Sequence, residues 1–329
     1  MFNRKLHLLM CENRRWQNIV GLATVKDLNT AIAGGHATEI INVTEAIQER
    51  KIAKVASQIK ELGTRLVLLA GPSSSGKTTT AKRLMVQLGA EGLWPISISM
   101  DDYFIDREKT PRQPNGEYDF ECLQAVNVPL FNQHLKALLA GETVELPKYD
   151  FVSGRSLKSG HQLQMMPQHV LIVEGIHALN PDLTPDIPDE DKFLLYVSAL
   201  TTIQLNSEHR ISTSDNRLLR RIIRDANYRG CSAEITLHRW ANVRAGEERW
   251  IFPFQENADM MINSALFYEL AVLRPHVEPL LQAVNEDSPE WDEARRLIRL
   301  LEFFKPIPDD QIPLTSLLRE FLGGSTFNY

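Results

Sequence analysis

Residues 65–88 read RLVLLAGPSSSGKTTTAKRLMVQL, and this stretch decides the fold. The run Arg65 to Ala70 is short and apolar, as a strand buried on both faces should be. It leads directly into Gly71-Pro72-Ser73-Ser74-Ser75-Gly76-Lys77-Thr78, which satisfies G-x-x-x-x-G-K-[ST], and Thr79 to Leu88 continues as a helix. Strand, glycine-rich turn and helix in that order make a phosphate cradle. The glycines let successive N–H groups turn inward around phosphate oxygens, and the helix presents its positive end. Lys77 is expected to reach the β and γ oxygens of a nucleotide, and Thr78 to offer its hydroxyl to Mg²⁺. A Ser/Gly turn that merely reverses the chain is the plain alternative, and the strand before and helix after argue against it.

Working outward, similar apolar runs recur at Pro95 to Met100, Val170 to Val173, Phe193 to Val197 and Met260 to Asn263, with helical patterns between them. One such helix is expected over Leu130 to Ala140. Strands alternating with helices predict an α/β fold: a P-loop NTPase-type parallel sheet flanked by helices, with active-site loops at the carboxyl ends of the strands. Upstream, Ile52, Val55, Ala56, Ile59 and Leu62 recur at helical spacing over Asn42 to Leu62, with Asn42 or Thr44 as cap and Gly63 as stop. Beyond Leu266 the chain reads as helices, one opened by Ser288 as cap with Pro289 and Glu290 in its first turn. The expected division is an N-terminal helical segment over 1–63, a P-loop domain over 64–265 with a lid near 213–232, and a C-terminal helical extension over 266–329.

The chain has 329 residues, of which 43% are hydrophobic, enough for a substantial core. Its formal charge of -6 gives no general attraction to nucleic acid or anionic membranes, so neither is expected as a partner. Cys11, Cys122 and Cys231 are far apart and lack the paired spacing of a zinc site or disulfide framework, which fits a reducing cytoplasm. No apolar run approaches the roughly 18 residues of a membrane span.

A phosphate cradle alone does not say what accepts the phosphoryl group. Ile96 to Met100 delivers Asp101 and Asp102 to the same sheet edge, where a carboxylate could take a proton from an alcohol or organise Mg²⁺. Capping of the strand end is the bland reading of that pair, and the neighbouring cradle outweighs it. Glu174 closes the run Val170 to Val173, where this type of fold needs a second acid near the metal. Arg217, Arg220, Arg221, Arg224 and Arg229 make one helix strongly basic, suited to charge that spreads over a transferred phosphoryl group, or else simply an exposed basic face.

Together these residues resemble the uridine kinase family of P-loop kinases, related to phosphoribulokinase, from about Arg65 to Asn263. GPSSSGKTTTAKRL resembles that family's phosphate loop, which implies nucleotide contacts from Gly71, Ser73, Ser74, Ser75, Gly76, Lys77, Thr78 and Thr79. SMDDYF resembles its catalytic segment, which implies Asp101 as the base for a nucleoside 5′-hydroxyl. The stretch around Tyr118-Asp119-Phe120 nominates Asp119 for the ribose, and LPKYDFVSGR nominates Tyr149 and Phe151 for the base. LIVEGIHAL carries over Glu174 as the metal-associated acid. RLLRRIIRDANYRG is similar to the lid, with Arg221 toward the acceptor and Arg224 and Arg229 toward the donor phosphates. Two positions depart from the pattern: Gly154 stands where a histidine often touches the base, and Cys231 where another arginine often follows.

The resemblance implies a cytoplasmic nucleoside kinase of pyrimidine salvage, using Mg²⁺ with ATP or GTP on uridine or cytidine, and often assembled as a homo-oligomer. Its rivals are a kinase of the same fold acting on another small alcohol or sugar phosphate, and a nucleotide-switched regulatory module. The flanks are similar to a longer bacterial subgroup that carries TGS and threonyl-tRNA synthetase-like domains upstream, and this sequence contains neither.

Overall fold

A computed structural model describes residues 3–113, 116–206 and 208–329. Three helices come first: α1 (Arg4–Val20), α2 (Val25–Ala33) and α3 (Ala37–Leu62). Strand β1 (Leu66–Ala70), helix α4 (Lys77–Ala90) and strand β2 (Trp94–Ser99) follow, then α5 (Val128–Leu139) and a hairpin of β3 (Thr143–Asp150) and β4 (Arg155–Gln164). The chain continues through β5 (His169–Glu174), β6 (Lys192–Ser198), α6 (Thr213–Arg229), α7 (Ala233–Trp250) and β7 (Met260–Asn263). It closes with α8 (Glu269–Gln282), α9 (Trp291–Glu302) and the short α10 (Arg319–Leu322).

Five strands form one parallel sheet in the order β2-β5-β1-β6-β7, the α/β architecture that the alternating pattern predicts. The central strand shows why its sequence is apolar without alternation. Leu66, Leu68 and Ala70 enter a core that contains α5, while Val67 and Leu69 enter a second core against α3 and α4. Ile52, Val55, Ala56 and Ile59 form the stripe of α3 that seals this second face. Each of the three larger side chains stabilises the fold by roughly 1.5–3 kcal/mol on burial.

Helix α3 begins at Ala37 rather than near Asn42, because Ile40 and Ile41 are buried in a third core and hold the extra turns in place. Helix α9 likewise starts at Trp291, with Glu290 as its N-cap. Ser288 sits one turn earlier, where its Oγ accepts the Glu290 N–H at 3.3 Å. The hairpin β3–β4 is antiparallel and largely exposed on β4, so it carries no apolar alternation that would announce it.

The third core joins parts of the chain that are distant in sequence. Val25 and Leu28 of α2, Leu218, Leu219, Ile222 and Ile223 of α6, and residues of α8 and α9 bury their apolar faces together. The basic helix α6 is therefore amphipathic in the strict sense: its apolar stripe is core and its arginines face the sheet edge.

Candidate active site

The parallel register brings the site together. Leu69 of β1 lies opposite Glu174 of β5, and Ser99 of β2 lies opposite Glu174 from the other side. The residues that leave these strands, Gly71, Asp101 and Glu174, therefore converge at one edge of the sheet. Gly76 adopts φ +81, a left-handed conformation natural to glycine, and turns the loop into α4. A Cβ on Gly71 would collide with the Val197 carbonyl and come within 2.7 Å of Ser75 Oγ, so the loop wraps closely. Lys77 Nζ folds back to donate to the Pro72 carbonyl at 3.1 Å. The hydroxyls of Ser74 and Ser75 are buried without a protein partner, as suits groups that await an anionic ligand.

Helices α6 and α7 clamp the loop from outside. Glu247 of α7 accepts the Ser73 N–H at 3.0 Å and pairs with Arg217, whose Nη2 lies 2.8 Å from Glu247 Oε2. Arg217 also donates to the Ser73 carbonyl at 3.1 Å, while its guanidinium sits 5.3 Å from the Trp240 ring centroid. Arg220 pairs with Glu269 and donates to the Ser264 carbonyl at 3.0 Å. Arg221 donates to Ser73 Oγ at 2.6 Å. Asp225 gathers the remaining guanidiniums, at 3.2 Å from Arg221, 2.8 Å from Arg224 and 3.6 Å from Arg229.

Beside the loop opens a cavity of about 1120 Å³. Phe120, Glu121, Phe151, Arg107 and Arg221 are among its walls, with Arg239 and His238 of α7 opposite. Tyr149 is buried behind Phe151, with ring centroids 5.0 Å apart, and Phe104 packs against both rings. Asp119 is turned into its own loop, where its Oδ1 accepts the Glu121 N–H at 3.2 Å.

Residues 66–268 match the Phosphoribulokinase / Uridine kinase family. The chain belongs to this family. It is similar to the uridine kinase of Halobacterium salinarum, 28% identical over 195 residues that span 59% of this chain and 77% of that one. It is also similar to the uridine kinase of Staphylococcus haemolyticus, 30% identical over 200 residues, 60% of this chain and 87% of the relative. Among solved structures, D-glycerate 3-kinase from Cryptococcus neoformans aligns at 15% identity and a TM-score of 0.40, covering 64% of this chain and 90% of that one. Like its family, the protein is a P-loop kinase, a phosphotransferase. No helix among the described residues is long and apolar enough to cross a membrane.

The electrostatics of this phosphoribulokinase / uridine kinase family site are coupled. Burial lowers the Lys77 ammonium, while Glu174, Glu320 and Asp101 pull it back up. Burial pushes Glu174 up to about 7 against the pull of Lys77, and the charges of Glu320 and Asp101 add to the rise. Glu121 is likewise pushed up to about 7 by burial, opposed by Arg221. Solvent reaches Asp101, yet the cleft walls crowd out enough water to raise its carboxyl, with Lys77 and Arg229 acting the other way.

No group of three or more His, Cys, Asp or Glu among the described residues could form a metal cage by itself. Mg²⁺ typically takes one or two protein ligands and completes its shell with phosphate oxygens and water. Thr78 Oγ1 lies 3.1 and 3.0 Å from the two oxygens of Glu174. The half-buried Glu174 carboxyl, pushed up to about 7, and the Thr78 hydroxyl beside it offer the oxygen donors that a dication takes, and a cation there would favour the ionised carboxylate.

Three features of the site go beyond what the sequence shows. Glu121, rather than Asp119, stands in the cavity wall; the alternation of Asp119, Phe120 and Glu121 could have raised it as a candidate. Arg107 lies 2.7 Å from where a Cβ on Gly154 would sit, and Gly154 holds φ +71, so two obstacles bar a side chain there. The Arg107 guanidinium also ties the hairpin turn by donating to the Phe151 carbonyl at 2.6 Å. Cys231, the second departure, lies just past the end of α6 with its thiol 3.6 Å from the Arg229 carbonyl.

Proposed function

We propose that the protein is a nucleoside kinase that transfers the γ-phosphoryl group of ATP or GTP to the 5′-hydroxyl of uridine or cytidine. The observation that carries this reading is Asp101, close enough to feel the charge of Lys77 in the phosphate cradle and to act on Glu121 in the wall of a cavity that Tyr118, Phe120 and Phe151 help to line. A planar base would stack against Phe151, stiffened from behind by Tyr149 and Phe104. Glu121 would hold the ribose hydroxyls, taking the task that the sequence pattern assigns to Asp119. The uridine kinases among its relatives support the same acceptor.

In the proposed reaction Asp101 accepts the proton of the 5′-hydroxyl as its oxygen attacks the γ-phosphorus in line. Its raised pKa makes it a stronger base once ionised. Lys77 and the guanidiniums of Arg224 and Arg229 stabilise the negative charge that spreads over the transferred group. Thr78 and Glu174 would hold Mg²⁺, which supplies charge neutralisation across the donor phosphates. Arg221 bridges the two halves, bonded to Ser73 on the donor side and present in the acceptor wall.

A second reading has its own observation. Arg107, Arg221 and Arg239 all line the cavity and would suit an acceptor that itself carries a phosphate. A coupled assay of nucleoside diphosphate release with Mg²⁺ and ATP, run against uridine, cytidine, purine nucleosides and ribulose 5-phosphate, separates the two. Turnover of uridine or cytidine is expected. Turnover of a sugar phosphate with the nucleosides inert would replace the first reading by the second.

A further inference from the structure

The phosphate cradle has a neighbour from far along the chain. Glu320 of α10 reaches the start of α4, where its Oε2 accepts the Thr79 hydroxyl at 2.6 Å and the Thr79 N–H at 3.3 Å. Tyr329 places its hydroxyl 3.0 Å from the same Thr79 Oγ1. The segment that carries Glu320 is firmly seated. Leu317, Leu318 and Phe321 are fully buried, the Arg220 guanidinium lies 5.2 Å from the Phe321 ring centroid, and Leu317 packs over Gly76.

The Thr79 N–H is one of the first-turn donors that a helix leaves unpaired, and in a phosphate loop these donors face the nucleotide. A carboxylate already bonded there is an anion inside an anion site. Its charge reaches further than Thr79: it raises both the Lys77 ammonium and the Glu174 carboxyl.

We propose that Glu320 sets the affinity for the phosphoryl donor by competing with a donor phosphate for Thr79. This rests on the reading of Gly71 to Thr79 as the donor site. An incoming nucleotide must either turn the Glu320 carboxylate away from Thr79 or bind against its charge, and both routes weaken binding. The C-terminal segment thereby becomes part of the donor site, anchored by α6 but acting through one carboxylate.

The test is calorimetric titration of the full chain with Mg²⁺–ATP, and separately with pyrophosphate, for the parent, Glu320→Gln, Glu320→Ala and Lys77→Ala. Removing the unit charge should tighten both ligands at least about threefold in the two Glu320 variants. The unliganded Tm should fall at the same time, because Thr79 loses its charged acceptor. A Glu320 with a merely structural role would lower Tm and affinity together, so unchanged or weaker binding overturns the proposal. If Lys77→Ala retains the parent's affinity, the donor-site reading fails, and the proposal fails with it. Weak binding by Lys77→Ala together with unchanged Glu320 variants overturns the proposal alone.

Discussion

The two walls of the cleft are built in opposite ways. On the donor side Arg217 and Arg220 are at most 1% exposed, each locked to a buried glutamate and to backbone of the loop or its surroundings. On the side proposed for the acceptor the hairpin tip leaves Phe151 60% and Val152 91% exposed, held by Arg107, the Asp150 carboxylate and a few ring contacts. Phosphoryl transfer needs fixed charges at fixed distances, and a core supplies them. Recognition of an acceptor tolerates a looser wall that can adjust to what it meets. The closing motion attributed to a lid would therefore meet less resistance in the hairpin than in α6, whose apolar face would have to leave the third core.

The seam between the walls should be the most sensitive point. Asp101→Asn should lower kcat by about 10³-fold while Mg²⁺–ATP still binds, because the proposed proton acceptor is lost. Steady-state kinetics beside nucleotide titration would check this, and retained turnover would assign the base elsewhere.

Within the donor wall, Arg220→Met should destabilise the fold by roughly 3–5 kcal/mol, since it leaves Glu269 buried without its partner. Urea unfolding measures the loss. The double variant with Glu269→Leu should recover much of it, and failure to recover would mean that the arginine acts mainly through its backbone bonds.

The acceptor wall predicts the reverse pattern. Phe151→Ala should raise KM for the nucleoside about tenfold, the scale of one lost base–aromatic stack, with Tm nearly unchanged. A large drop in Tm instead would show that the hairpin is part of the structural core after all.

The smallest expected effect is one of pH. Glu174 is held up to about 7, so below that pH it is mostly protonated, and a cation has to displace the proton. The Mg²⁺-dependent part of nucleotide affinity should therefore rise severalfold from pH 6 to pH 8 and flatten in Glu174→Gln. The linkage to stability has the opposite sign. A raised acid favours the folded state at low pH and loses that advantage between its ordinary value near 4.5 and about 7.

The same contrast explains what could be read from the chain. Gly71 to Thr79 was legible because the whole device, strand, turn and helix start, is contiguous. The sheet was legible because β1, β5 and β6 are covered on both faces and must be apolar. The hairpin was not, since exposed strands carry no burial pattern, and it surfaced only as a motif around Tyr149. That Glu121 and not Asp119 lines the cavity turns on which way one short loop points, where the Glu121 N–H bonds back to Asp119. Glu320 lies 241 residues from Thr79, and no local periodicity connects two such positions.

The stacking of Arg217 on Trp240 gives the molecule a further property. The same guanidinium touches the Ser73 carbonyl and the indole face, and the indole N–H is fixed to Ser214 Oγ at 3.2 Å. A nucleotide that tightens the loop changes the field that this cation exerts on the indole. Nucleotide binding is thereby expected to shift the emission of Trp240, one of five tryptophans in the chain, and the difference from Trp240→Phe would isolate that share of the signal.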